Sequence, residues 1–180
     1  MKFLIISILI LLCGAALIPF IKKDFKLKIC TIFTTLSSLM AIAPAINCIY
    51  NRIGFNEKIN ILKNFGDVYI GIDLLSSIFV IIIALMSLFG VYYANGYLKP
   101  YINKNKAISS HCSFLMILIA SMLSVVISNN VMLFLISWEI MSLSSFFLVL
   151  FEGEKKEVRK AATKYYFYHC NDDFINKCVK

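Results

Sequence analysis

The sequence predicts an all-α integral membrane protein with about five transmembrane helices, its N-terminus outside the membrane and its C-terminus inside. The composition points to this class first, since 60% of the 180 residues are hydrophobic and the mean hydropathy is +0.82. Soluble domains have nearer half of their residues apolar. A soluble fold of this size could not bury so much apolar surface, so lipid must solvate part of it.

The net charge of +8 belongs to short clusters that separate long apolar runs. A nucleic-acid-binding protein would gather such charge on one face or groove, whereas basic loops beside apolar spans are typical of proteins of the cytoplasmic (inner) membrane. We therefore expect a multi-pass protein of that membrane, with the lipid bilayer as its surroundings and no nucleic-acid partner.

Five apolar segments are long enough to cross a hydrocarbon core of about 30 Å, which takes about 20 helical residues. They lie approximately at residues 3–21, 29–50, 73–97, 112–128 and 131–151. With the basic loop that follows, they make up a membrane domain of residues 1–167, and residues 168–180 form a polar tail. The first segment could instead be a signal peptide cleaved near Ala16, but the later spans favour a retained helix.

The break between the last two spans is inferred from length. Residues 107–151 contain one charged residue, Glu139, and as a single helix they would be about 67 Å long. The chain must therefore turn back, and the polar residues 128–130 predict the turn. Ala120, Ser124 and Ser128 form a small-residue stripe that either lets two helices approach closely or is a chance feature of this span.

Two further elements precede the third span. Pro44 lies inside the second span and is expected to kink it, and neighbouring helices can accommodate such a kink. The mixed, charged residues 51–71 predict a loop. Asp73 then opens the third helix, where the positive end of the helix dipole favours a carboxylate.

The orientation follows from the excess of positive charge on cytoplasmic loops. With the N-terminus outside, the inner loops carry twelve lysines and arginines, against four on the outer side. The inner set is Lys22, Lys23, Lys26, Lys28, Lys99, Lys104, Lys106, Lys155, Lys156, Arg159, Lys160 and Lys164. The outer set is Lys2, Arg52, Lys58 and Lys63.

Glu139 lies near the middle of the fifth span, where a charged side chain costs several kcal/mol on insertion scales. Such residues usually face a bundle interior and mark ion or proton pathways, although a structural glutamate, protonated or paired with another helix, is the alternative. A lipid environment favours the neutral carboxyl and a nearby cation favours the carboxylate, so a group between the two can exchange protons. Ser142, one turn further on, could hydrogen-bond to it.

No cofactor or metal site is predicted. The six cysteines form no CxxC pair, and the first four lie in apolar segments, where a free cysteine acts as a small hydrophobic residue. There is no glycine-rich phosphate loop and no iron–sulfur cysteine cluster. The possible ligands in the tail match no common site type; they are His169, Cys170, Asp172, Asp173 and Cys178.

Several motifs resemble the antiporter-like membrane subunits of complex I, group 4 hydrogenases and multisubunit sodium/proton antiporters. Residues 130–150 resemble the fifth helix of that family, with the pattern F-L-x-x-W-E-x-M-S-L-x-S. Residues 72–76 and 93–98 resemble the two ends of its third helix, and residues 152–165 resemble the loop before its sixth. The details are most similar to hydrogenase-4 component B-like or formate hydrogenlyase subunits. The pattern is carried by Phe134, Leu135, Trp138, Glu139, Met141, Ser142, Leu143 and Ser145.

The resemblance implies a subunit that translocates protons or cations. In the family, the glutamate matching Glu139 pairs with a lysine on the seventh helix, and we expect Trp138 and Ser142 to support it. The redox chemistry, quinone reduction or hydrogen evolution, belongs to other membrane-associated subunits, so this chain would have no catalytic centre of its own and would need those subunits as partners.

The family's members have about fourteen helices in two inverted repeats, whereas this sequence matches only the first five. The polar residues 168–180 replace the expected sixth helix, which suggests a frameshift or premature stop, or else a natural small subunit. Two functional classes therefore remain: part of a proton-translocating subunit, or an inert or purely structural membrane fragment or accessory subunit.

Overall fold

The computed structural model describes residues 2–21, 23–52, 54–59, 68–98 and 108–150. Within these residues five α-helices are each long and apolar enough to cross a membrane, which confirms the predicted fold class and number of spans. A short 3₁₀ turn, Ile18–Phe20, follows the first helix. The helices are α1 (Lys2–Leu17), α2 (Lys23–Asn51), α3 (Leu74–Leu98), α4 (Ile108–Ile127) and α5 (Val131–Val149). The predicted basic loop and polar tail lie outside the described residues, and the orientation in the membrane stays a prediction.

Two helices begin earlier than the apolar runs predicted. The helix α2 begins at Lys23 rather than near residue 29, and α4 begins at Ile108 rather than near residue 112. Hydropathy marks only the part of a helix that matches the hydrocarbon, whereas lysine and other polar residues are tolerated in the helical turns beyond it. Pro44 lies inside α2 and does not end it.

The helix α4 lies at the centre of the bundle and packs against the other four helices. Its buried side chains include Met116 and Leu123, which are 0% and 1% exposed. On α1, Gly14 lies directly against Met116 and against Phe33 of α2. Because Gly14 has no side chain, the three helices can approach closely at this point.

Side-chain hydrogen bonds join the first four helices to one another. The hydroxyls of Ser38 on α2 and Ser87 on α3 lie 2.7 Å apart and are buried. Other cross-helix hydrogen bonds run from Asn95 Nδ2 to Thr31 Oγ1 (2.6 Å), from Ser37 Oγ to the Ser7 carbonyl (3.0 Å) and from Ser113 Oγ to the Ala15 carbonyl (2.9 Å). Since lipid supplies no hydrophobic drive between helices, packing and such hydrogen bonds hold them together.

A β-hairpin connects α2 to α3, so the prediction of a plain loop over residues 51–71 was wrong. Strands β1 (Phe55–Ile59) and β2 (Val68–Ile72) pair antiparallel, with Phe55 opposite Ile72 and Ile59 opposite Val68. The charges of this segment suggested a loop, but β2 is rich in β-branched and aromatic residues, which favour strands.

The hairpin is fastened to the turn between α4 and α5, where the chain reverses over residues 128–130 as predicted. The backbone N–H of Asn129 donates to the Tyr69 carbonyl at 3.1 Å, and its side chain donates to Asn56 Oδ1 at 3.2 Å. Ile70 forms an antiparallel bridge with Ser128. We call these contacts the clasp. A Cβ atom on Gly71 would collide with both asparagine side chains, so the clasp requires glycine at that position.

Asp73 caps α3, in agreement with its predicted place at the start of that helix. Its Oδ1 accepts a hydrogen bond from the Ser76 backbone N–H at 2.7 Å, and its carbonyl accepts one from the Ser77 N–H at 2.9 Å. Hydrogen bonds from Ser76 hold the pKa of the Asp73 carboxyl below its usual range, because they favour the charged form.

Candidate functional site

The helix α5 is held against α4 near both of its ends. At the start, Asn130 caps the helix, since its Oδ1 accepts from Met132 N at 2.8 Å and from Leu133 N at 3.4 Å. Near the other end, the Phe147 ring stacks on Phe114 of α4 with a centroid distance of 4.5 Å. These contacts fix the position of α5 along α4.

Between its ends, α5 presents only a narrow face to the bundle. Its buried residues are three serines: Ser137, Ser142 and Ser144. In the most apolar 18-residue stretch of α5, 17% of the residues are buried, whereas the corresponding stretches of the other four helices have 33–39% of their residues buried. The small serine side chains let α5 lie close to α4, while most of its surface is uncovered by the rest of the described chain.

Glu139 lies on the uncovered side, near the middle of α5. Its neighbours one turn away are apolar and exposed, with Leu135 at 51%, Ile136 at 55% and Leu143 at 41%. Within the part of the chain that the structure describes, no hydrogen bond or ion pair reaches its carboxylate. An ionised carboxylate facing hydrocarbon at this depth is costly, so this face suits a protein partner that supplies a positive charge.

The two residues expected to support Glu139 occupy different surroundings. Trp138 is 38% exposed, and its ring lies 5.8 Å from that of Phe134, one turn earlier. Ser142 is 7% exposed and belongs to the face that packs on α4. Among the described residues there is no hydrogen bond between Ser142 and Glu139, so a direct role for this serine stays a prediction.

The described residues hold no cluster of three or more histidine, cysteine, aspartate or glutamate side chains that could bind a metal ion. The tail residues weighed as ligands, from His169 to Cys178, lie outside them. The chemistry available at α5 is therefore that of a single carboxylate on a membrane helix.

Residues 128–175 match the family described as NADH:quinone oxidoreductase/Mrp antiporter, transmembrane. This segment contains all of α5, including Glu139. The chain is related to the antiporter-like membrane subunits. The resemblance inferred from the sequence motifs is thereby confirmed.

Two kinds of bacterial membrane subunit are similar to this chain. Hydrogenase-4 component B of Escherichia coli (strain K12) is 30% identical over 111 residues, which cover 62% of this chain and 16% of the relative. Na(+)/H(+) antiporter subunit A1 of Staphylococcus haemolyticus (strain JCSC1435) is 30% identical over 166 residues, 87% of this chain and 19% of the relative. The same subunit of Staphylococcus aureus (strain bovine RF122 / ET3-1) is 32% identical over 103 residues, covering 56% and 12%. The chain thus spans a fifth or less of the length of these relatives.

Sequence reasoning missed the clasp, which fixes the start of α5. The signal that could have found it is the alternation of side chains over residues 68–72, together with the two asparagines of the turn. An alternating segment predicts a strand, but its partner residues 128–129 lie far along the chain.

Proposed function

We propose that this chain forms part of a proton- or cation-translocating, antiporter-like membrane subunit, with Glu139 as the carboxylate of its ion path. The observation that supports this most is the position of Glu139: mid-helix, inside the family-matched segment, and without a partner among the described residues. Intramembrane carboxylates of this kind are usually functional. We further propose that the chain lies in the cytoplasmic membrane with its N-terminus outside.

The mechanism requires a cation that approaches and leaves Glu139. When the cation is close, the carboxylate is favoured; when it withdraws, the apolar surroundings favour the protonated form. A proton is then taken up and released once per cycle. The relatives are subunits of a hydrogenase and of a sodium/proton antiporter, so we propose that neighbouring membrane subunits or further helices supply the cation and that any redox chemistry takes place elsewhere.

A purely structural role is the second candidate. It is favoured by the lack of a positively charged partner for Glu139 within the described residues, since a carboxylate that meets no moving charge has no means of switching. In that case the five helices serve as an anchor or packing surface for other subunits.

The two candidates separate in proteoliposomes that enclose a pH-sensitive dye. Because neighbouring subunits or further helices supply the cation, the chain is reconstituted in the complex that it forms with them. We expect this complex to raise the proton flux driven by an imposed pH gradient above that of empty vesicles, and Glu139→Gln to return it to the empty-vesicle level. The matched control is Glu57→Gln, which removes a carboxylate from the β1 strand of the hairpin rather than from a membrane span and should leave the flux unchanged.

Equal flux in the full chain and Glu139→Gln would exclude a translocation role for this residue. A flux at the empty-vesicle level for all three proteins would favour the structural role. The same measurement with a sodium-sensitive dye identifies the transported ion.

A further inference from the structure

The helices α2 and α3 pack side by side and run antiparallel. Ser38 lies opposite Ser87, and Thr31 lies opposite Asn95, where Asn95 Nδ2 donates to Thr31 Oγ1 at 2.6 Å. This register places the start of α2 beside the end of α3. The connection from α1 to α2 and the connection from α3 to α4 therefore meet the same boundary of the membrane.

The α3 side of this contact carries an open space on the outer surface of the bundle. Gly96 directly follows Asn95, and a Cβ atom on Gly96 would meet nothing within 4 Å among the described residues. Tyr92, one turn before Asn95, is 61% exposed and lies about 9 Å from the end of α3. An exposed tyrosine at this depth is typical of the zone where apolar chains meet polar headgroups.

The α2 side of the contact carries a lysine. Lys28, one turn before Thr31, is exposed, and its Nζ lies 5.9 Å from the centroid of the Phe25 ring, one turn nearer the start of the helix. The ammonium is thus directed toward the membrane boundary, while its aliphatic stem lies along apolar surface. Ile32, next to Thr31, is 60% exposed.

These exposed residues lie on the same side of the contact between the two helices. The buried residues of α2 and α3 belong to the hydrophobic cluster that they share with α1 and α4, so exposed neighbours of the Asn95–Thr31 hydrogen bond face away from the bundle. The result is a shallow groove, which we call the α2–α3 groove. Its walls are formed by Lys28 and Ile32 on one side and by Tyr92 and Gly96 on the other.

The chain around this end of the groove is strongly basic. Residues 21–28 contain four lysines and one aspartate, and residues 99–107 contain three lysines and no acidic residue. The segment of residues 51–73, which connects the opposite ends of α2 and α3, contains three basic and three acidic residues. Clusters of lysine beside membrane helices attract anionic lipid headgroups. The charge at this boundary is therefore complementary to an anionic headgroup, and the charge at the other is not.

We propose that the α2–α3 groove binds one anionic phospholipid of the bilayer. The lipid phosphate pairs with the Lys28 ammonium, the glycerol backbone takes the open space over Gly96, and one acyl chain lies between Ile32 and Tyr92. The apolar walls favour a lipid over free phosphate, and the net positive charge favours an anionic headgroup over a zwitterionic one. The function proposed for Glu139 makes no use of this groove.

The test uses the full chain in detergent micelles and native mass spectrometry, which counts the lipids that stay bound. The probes are phosphatidylglycerol and phosphatidylcholine with the same two oleoyl chains, and we expect the first to bind more tightly. Lys28→Gln should weaken phosphatidylglycerol binding about fivefold, the effect of one lysine near an anionic surface, and leave phosphatidylcholine binding unchanged. The matched control is Lys2→Gln, which removes an exposed lysine at the opposite end of the bundle and should change neither affinity.

A second pair of variants tests the groove itself. Gly96→Leu fills the open space and should weaken phosphatidylglycerol binding several-fold. Its control is Gly90→Leu, because a Cβ on Gly90 also meets nothing within 4 Å, but this position lies about 120° away around α3. Both leucines project into open space, so the helices are expected to pack as before.

The proposal is overturned if the unmodified chain binds the two lipids equally, a result that does not depend on any variant. It is also overturned if Lys28→Gln weakens phosphatidylglycerol binding no more than Lys2→Gln, or if Gly96→Leu weakens it no more than Gly90→Leu. Displacement of the lipid by an equal concentration of glycerol phosphate, which has no acyl chains, would show that free phosphate is the ligand and would overturn it as well.

Discussion

Gly14 lies where α1 meets α2 and α4, and its replacement by alanine tests the close packing of the bundle. An added Cβ would lie 2.5 Å from Met116 Cε and 2.9 Å from Phe33 Cδ1. Carbon atoms in favourable contact are about 3.5–4.0 Å apart. The end of Met116 must therefore move by about 1 Å, and the Phe33 ring by slightly less.

The expected cost follows from two opposing terms. Overpacking of a filled core costs about 1–3 kcal/mol, with the lower part of the range favoured here because a methionine side chain adapts easily. Alanine gains about 1 kcal/mol over glycine in helix propensity. We therefore expect Gly14→Ala to lower the free energy of unfolding by about 0–1 kcal/mol.

Gly90 on α3 supplies the matched control, because a Cβ at that position meets nothing within 4 Å. Gly90→Ala carries the same propensity gain without the overlap, so the difference between the two variants isolates overpacking, about 1–3 kcal/mol. Unfolding in mixed micelles, followed by circular dichroism as the fraction of dodecyl sulfate rises, measures both. Equal stabilities of Gly14→Ala and Gly90→Ala would refute the packing described for α1.

Three further changes test other contacts. Gly71→Ala should break the clasp, and the loss of one hydrogen bond, about 1 kcal/mol, should make amide exchange in β2 about fivefold faster; unchanged exchange would contradict the clasp. A double-mutant cycle with Ser38→Ala and Ser87→Ala should give a coupling of about 0.6 kcal/mol, and additive effects would show that their hydrogen bond does not stabilise the bundle. Asp73→Ala should cost about 1 kcal/mol while Asp73→Asn, which keeps a capping oxygen, should cost less. Because hydrogen bonds from Ser76 lower the pKa of Asp73, its charge-dependent contribution is present above about pH 4 and is lost as the pH falls through the lowered pKa; in Asp73→Ala this acid dependence should be absent.

The helices could be predicted because the bilayer imposes a length on them. An uncharged run of about 20 residues has few other folds available to it, and the turn at residues 128–130 followed from the same length argument. The early start of α2 was not predictable in this way, since Lys23 precedes the apolar run that begins near residue 29, and hydropathy does not distinguish helix from loop in such a polar segment.

Contacts between distant segments could not be read from one sequence. Ser38 and Ser87 each look like an ordinary small residue of a membrane span, and only the packing of α2 on α3 brings their hydroxyls together. The same applies to the clasp, in which Asn56 and Asn129 are separated by the whole of α3 and α4.

The candidate site was predictable in identity but not in surroundings. A lone carboxylate in an apolar run identified Glu139 without any knowledge of the fold. Its uncovered position depends on which face of α5 packs on α4, and the hydrophobic pattern of α5 is too uniform to show this. The three buried serines decide that face, whereas hydropathy would have assigned the apolar side to the core.

The hydroxyls of two serines on α5 bond to their own helix rather than to α4, and this affects how α5 can move. Ser144 Oγ donates to the Ile140 carbonyl at 2.7 Å, and Ser145 Oγ donates to the Ser142 carbonyl at 2.8 Å, so both bonds lie within the helix itself. These serines therefore contribute a smooth surface rather than directional links to α4. A rotation of α5 by a few degrees about its own axis would therefore leave those hydrogen bonds intact. The same rotation would move the Glu139 carboxylate sideways across the surface of the bundle.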